Sequence, residues 1–317
     1  MADTHVKDPG LGEKYDGRTS RLINADGSFN VVKEGMAPQF KNLYHFFLNI
    51  SWAQFTLLIS GGYVFMNALF AGLYVVAGIE GIHGSNLLDT NNEFLIALFF
   101  SFQTFTTLGY GGLTPIHTDV NIIAGFQAMI GFMSFSIATG LLYGRFSKPS
   151  ARIQYSKNLL LAPYKDGFAL MFRIVNKRDN LLMDMEAKVL LTTTRKKDGL
   201  YLNAYNQLDL AIDKIDFFPL NWTIVHPIDE DSPLWGKTTK ELIKLNPQIV
   251  VLIKGFDDSF SQIVRSRYSY TLREMVFNAR FQPAYKVFRD GSTHINIQDI
   301  DNFEKLDGQI SDFSENQ

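Results

Sequence analysis

The 317-residue chain contains no cysteine, which excludes disulfides, thiolate metal sites and cysteine nucleophiles. It also lacks any Lys or Arg from Asn42 through Gly144. The formal net charge is only -2, so nothing in the charge balance points to nucleic acid as a partner. Residues 1–38 hold no apolar core and do not read as a secretory signal peptide. Gly10, Gly12, Gly17, Gly27 and Gly35 interrupt them, and their polar composition predicts a disordered or extended arm. No side chains are spaced as metal ligands, and no Ser, His and Asp are arranged as a nucleophilic site. Enzymatic activity is therefore not expected.

Long apolar runs are present. Trp52 to Gly78 and Val120 to Phe146 each exceed the ~20 residues that a helix needs to cross a bilayer. A third run, Phe94 to Phe105, is too short to cross and is either a buried helix or a re-entrant one. Lys41 precedes the stretch without bases, and Arg145, Lys148, Arg152 and Lys157 follow it. By the positive-inside rule both flanks are cytoplasmic. The linker from Ile79 to Asp119, whose formal charges are Glu80, Asp89, Glu93 and Asp119, then lies outside. Leu43, Phe46, Phe47 and Ile50 share one face of a helix. That helix either lies along the inner membrane surface or extends the first span.

After Pro149 the pattern turns strand-like, at Gly167–Val175, Glu186–Thr194, Ile249–Lys254 and Tyr285–Phe288. Short strands separated by turn residues predict a β-sandwich. One short helix is expected at Thr238–Leu245. The expected organisation is an arm over 1–39, an interfacial (slide) helix over 40–51, a two-span pore domain over 52–149 and an all-β cytoplasmic domain over 150–317.

Between the spans, directly after the short apolar helix, stands Thr106-Thr107-Leu108-Gly109-Tyr110-Gly111. Dehydrating K⁺ requires a ring of oxygens in place of its water shell, and four chains contributing successive backbone carbonyls supply one. Turning carbonyls inward at every residue demands left-handed conformations that glycine adopts freely, which accounts for Gly109 and Gly111. The carbonyls of Thr107, Leu108, Gly109 and Tyr110 are expected to line the path, with the Thr107 hydroxyl as an inner oxygen. Gln103 and Thr106 are expected to support the filter, and the Tyr110 ring to brace it against its own pore helix, roughly Asn92 to Phe105. Extended backbone at membrane depth is tolerated only when buried in protein or facing a wet cavity, so a homotetramer follows. The partially negative C-terminal end of the pore helix favours a cation.

Further motifs accompany the filter. They include Phe126-Gln127 with Gly131, Arg145-Phe146-Ser147-Lys148-Pro149, Phe172-Arg173-Ile174-Val175-Asn176, the run from Ile224-Val225-His226-Pro227 to Ser232-Pro233-Leu234, and Tyr268-Ser269-Tyr270 after Gly255-Phe256-Asp257-Asp258. Over roughly Phe40 to Ala284 the chain resembles the prokaryotic (KirBac-type) inward-rectifier potassium channels. The resemblance implies a tetramer with an immunoglobulin-like cytoplasmic domain in a bacterial inner membrane, both termini cytoplasmic. It also implies control by anionic lipids or phosphoinositides at Arg145, Lys148 and Arg152, for which ordinary positive-inside flanking is the alternative. This chain has Gln103 where relatives often carry Glu, Leu113 where eukaryotic members have Arg, and Gly112 where prokaryotic ones often have Asp. Phe135 stands where strong rectifiers place the acid that attracts polyamines. Lys254 stands where an acid is common, and Asp198 is a loose candidate to restore negative potential.

Phe135, Thr139 and Tyr143 lie four apart and share one helix face. They either line a gate, with Tyr143 lowest, or pack between helices. Gly131 and Gly140 offer places to bend. The loop from Phe256 to Val264 resembles a second, cytoplasmic constriction. His83 and His117 either tune an external pH response or are solvated loop residues, and His226 reads as structural. Two rivals to a K⁺ channel stay open: a membrane-anchored β-sandwich that binds a partner without conducting, and a non-selective cation pore.

Overall fold

The computed structural model describes residues 5–6, 8–17, 21–32, 34, 43–147 and 151–307. These fall into two compact units, one spanning residues 34–148 and the other combining 1–33 with 149–317.

The first unit is helical. Helix α1, Leu43–Asn49, ends before Ser51, whose extended backbone (φ -61, ψ 158) starts a new helix, α2, Trp52–Ala77. Ser51 and Gln54 form a reciprocal capping box, with Oγ accepting from Gln54 N at 3.2 Å and Gln54 Oε1 from Ser51 N at 3.1 Å. That cap makes α1 a separate helix rather than an extension of the span. Helix α3, Glu93–Phe105, is capped by Asn92 Oδ1, which accepts from Phe94 N and Leu95 N at 3.0 and 3.2 Å. Helix α4 runs unbroken over Thr118–Phe146.

The buried face of α2 carries Asn67, Phe70, Ala71 and Tyr74, and that of α3 carries Ile96, Ala97, Phe100 and Ser101. Both follow the helical spacing of one stripe. Phe70, Ala71, Tyr74, Ala97, Phe100 and Val120 form one cluster among the three helices. Elsewhere α2 and α4 are apolar and exposed, as at Leu57, Phe65, Val76, Phe126, Phe132 and Ile137. Both are long and apolar enough to cross a membrane. α3 is not, and it packs between them.

The second unit is a β-sandwich. One sheet orders His5–Val6, Leu200–Leu208, Leu182–Lys197, Gln248–Asp257 and Gln262–Thr271. The other orders Trp222–Ile228, Gly167–Asn176, Leu159–Tyr164 and Met275–Phe277. Alternate residues of both sheets enter a common core: Leu159 and Leu161; Leu170, Phe172 and Ile174; Val189 and Leu191; Ile249, Val251 and Ile253. Helix α5, Thr239–Leu245, starts with a capping box between Thr238 and Glu241.

The arm departs from its predicted disorder. Leu22 and Ile23 are buried against Tyr205 and Val250 on the outer face of the larger sheet. Leu22 N donates to Gln248 Oε1 at 3.0 Å, Ser269 Oγ to Ile23 O at 2.6 Å, and Arg21 pairs with Glu274 at 3.1 Å. Val250 is thereby buried on the face of its strand opposite Ile249 and Val251, while Leu252 on that same face stays exposed.

His226 is structural in this fold. Its Nδ1 donates to Asp209 O at 2.6 Å and its Nε2 accepts from Ser232 Oγ at 2.9 Å. Burial lowers its pKa. The unfolded imidazole titrates near 6.5. Just below that pH the unfolded chain takes a proton that the folded site refuses, so stability is full above about 6.5 and falls with acidification. Hydrogen exchange in the strand Trp222–Ile228 should therefore accelerate as pH drops below about 6.5, after correction for intrinsic rates. His226→Gln should flatten the dependence, and an equally steep one in the variant would show that another group sets it.

Candidate functional site

The segment after α3 leaves the helix through a strained turn. Thr106 (φ -83, ψ -1) donates its N–H and hydroxyl to Phe102 O at 3.2 and 2.8 Å. Thr107 then takes the left-handed region at φ 54. Its N–H donates to Thr104 O at 3.1 Å, and Leu108 N–H to Gln103 O at 2.9 Å. These paired bonds are a Schellman ending, whose left-handed position usually holds Gly or Asn. A β-branched residue there costs about 1–3 kcal/mol, and such strain concentrates at functional sites.

Gly109 and Gly111 follow at φ 56 and 82. Left-handed φ thus recurs at residues 107, 109 and 111. In a strand of uniform hand, successive carbonyls alternate from side to side. Reversing the hand at every second residue turns them toward one side. Among the described residues no backbone hydrogen bond engages Gly109, Tyr110 or Gly111, and residues 106–112 are all exposed. The Thr107 hydroxyl donates to Thr106 O at 2.7 Å, which leaves its lone pairs available.

Two contacts meet this segment at its far end. Gln103, buried on α3, donates Nε2–H to Leu113 O at 3.1 Å. Gly84, at φ 84, lies so close to the Gly112 carbonyl that any Cβ would collide with it. The Tyr110 ring corrects an expectation. It is 81 % exposed, so its own pore helix does not brace it. On α4, Phe135 and Tyr143 are 72 % and 74 % exposed and Thr139 is exposed beside them, so within one chain none of the three packs between helices.

The family model for the inward rectifier potassium channel C-terminal domain matches residues 153–317, and an ion channel model matches residues 55–148. The chain is 30% identical over 291 residues to inward rectifier potassium channel Kirbac3.1 of Paramagnetospirillum magnetotacticum, covering 90% of this chain and 96% of that one. The chain belongs to the inward rectifier potassium channel family. It is also 25% identical over 290 residues to inward rectifier potassium channel 18 of Homo sapiens, covering 83% of this chain and 66% of that one. The solved structure of the sporulation control protein Spo0M from Bacillus subtilis aligns at a TM-score of 0.22 and 10% identity, over 39% of this chain and 49% of that one, which is too little to bear on the fold. The protein is a membrane potassium channel of the inward-rectifier type, not an enzyme.

The remaining predicted residues of the channel divide. Arg145 donates to Phe47 O at 2.5 Å and Ile50 O at 2.9 Å, the free carbonyls where α1 ends, and its guanidinium lies over the Trp52 and Phe55 rings at 4.5 and 4.6 Å. It is therefore engaged within the protein rather than free for a headgroup. Lys148 lies outside the described residues, and Arg152 belongs to the β unit. Phe256 is a half-buried strand residue paired with Ile263, so the expected loop shrinks to residues 258–261. Lys254 pairs with Glu186 at 3.4 Å, which lowers the pKa of that carboxyl. Gly131 is not a free hinge, because a Cβ there would strike the Phe105 carbonyl oxygen. Gly140 has open space around it.

Gly131→Ala should therefore destabilise the channel by about 1–3 kcal/mol through forced separation of α3 and α4. Thermal unfolding in detergent measures this, and an unchanged melting temperature would contradict the packing.

Proposed function

We propose that four copies of the chain surround a common axis and select K⁺ through the carbonyls of Thr107, Leu108, Gly109 and Tyr110, with the Thr107 hydroxyl below them and Gly111 closing the outer end. The observation that carries this reading is the recurrence of left-handed backbone at residues 107, 109 and 111, with no backbone hydrogen bond at 109–111 among the described residues. Carbonyls at membrane depth need a partner, and dehydrated K⁺ with three further copies supplies one. Gln103 and Thr106 support the filter from α3. The exposed Tyr110 ring finds its wall on a neighbouring subunit. The apolar groove of about 710 Å³ lined by Leu58, Tyr63, Met66, Phe105, Phe132 and Leu141 gives a neighbour room to pack.

The stripe Phe135, Thr139 and Tyr143 faces the pore in this reading, and Tyr143 forms an apolar constriction that stops ions by dewetting. The turn entered through Phe256 forms a second constriction. The membrane is the bacterial inner membrane, with both termini cytoplasmic. Anionic lipids, phosphoinositides included, act through Lys148 and Arg152, while Arg145 positions the slide helix. Phe135 supplies no negative ring, so polyamine block is weak.

Purified channel in liposomes should take up Rb⁺ in competition with K⁺ but not with Na⁺. Tyr143→Ala should raise basal uptake, and lower or equal uptake in folded protein counts against the gate. Spermine at micromolar concentration should leave currents nearly unchanged in patches of the same vesicles, and steep voltage-dependent block would refute the Phe135 argument.

A further inference from the structure

Four fully buried polar side chains join the two spans to the pore helix: Asn67 and Tyr74 on α2, Ser101 on α3 and Gln127 on α4. Tyr74 Oη donates to Gln127 Oε1 at 2.6 Å. Gln127 Nε2 donates to Ser101 Oγ at 2.6 Å and Ser101 O at 3.1 Å. The Ser101 hydroxyl donates to Asn67 Oδ1 at 2.8 Å, and Asn67 Nδ2 to Tyr63 O at 2.9 Å. Donation runs in one direction from Tyr74 to Tyr63, which fixes the orientation of both amides.

A second contact lies one turn further along. Gly131, four residues after Gln127, abuts the carbonyl of Phe105, four residues after Ser101. α4 is thereby keyed to α3 at two successive turns, and the second key is the last residue of α3 before the filter segment begins. Purely apolar helices in lipid slide and rotate against one another at little cost. Directional donor–acceptor pairs and close small-residue contacts set one register.

We propose that Gln127 is a positioning residue for ion selection. It sets the depth and rotation of α3, and through Phe105 the point from which residues 106–112 start. The inference rests on the filter reading above. A site that discriminates by oxygen placement needs its framework held to about half an ångström. Gln127 touches neither ion nor filter, so its effect reaches the ion only through α3.

The test measures Rb⁺ uptake into liposomes against Na⁺ or K⁺, together with melting of the assembled channel in K⁺ and in Na⁺. Gln127→Leu keeps the approximate volume and removes both donor and acceptor. It should assemble and conduct, with the preference for K⁺ over Na⁺ reduced by about tenfold and a narrower gap between the two melting temperatures. Tyr74→Phe removes only the outermost hydrogen bond and should shift both readouts the same way by less. An assembled Gln127→Leu channel with wild-type preference and an unchanged gap overturns the proposal, even if both melting temperatures fall, because it reduces the network to packing. Should Gln127→Leu fail to assemble, Ser101→Ala carries the same two outcomes. A wild-type channel that takes up Na⁺ as readily as K⁺ would instead overturn the filter reading itself.

Discussion

A backbone carbonyl without a donor cannot be left in hydrocarbon. The segment from Thr107 to Gly111 holds consecutive groups of that kind on alternating left-handed backbone. The rest of the helical unit serves to make this arrangement tolerable. α3 is too short to span and is wedged between two helices that do. The Schellman ending at Thr107 sends the chain out of the helix in the required hand. Gln103 and Gly84 hold the far end through the Leu113 and Gly112 carbonyls.

Charge plays a smaller part in this framework than the family resemblance implied. At Gln103, where the resemblance implies a Glu that eukaryotic members pair with an Arg, this chain uses one neutral amide on the Leu113 carbonyl. A neutral bond avoids the desolvation cost of a buried ion pair. The basic residue at the end of α4 is likewise spent on structure, with Arg145 satisfying the carbonyls that α1 leaves open. The α1 end is therefore tied to the inner helix by the side chain that composition alone would assign to lipid.

Much of this was legible before any coordinates. The two spans, the short intervening helix, the filter glycines and the capping start of α5 carry local signals of length, period and residue type. What was missed depended on contacts far apart in sequence. The arm reads as disordered because its buried apolar pair, Leu22 and Ile23, finds its partners Tyr205 and Val250 far along the chain. The apolar Val250 between the core residues Ile249 and Val251 was the available signal, since a half-exposed strand would alternate there. Gly131 reads as a hinge in isolation and as a close contact once Phe105 is beside it. Tyr110 reads as braced by its own pore helix from its place in the motif, and its ring is exposed within the chain.

The most direct test of the central claim is anomalous diffraction from crystals of the membrane-embedded or detergent-solubilised channel grown in Rb⁺. Peaks strung along a fourfold axis between the carbonyls of Thr107 and Tyr110 are the predicted result. Carbonyls bonded within their own subunit, or an axis without ions at that level, would contradict it.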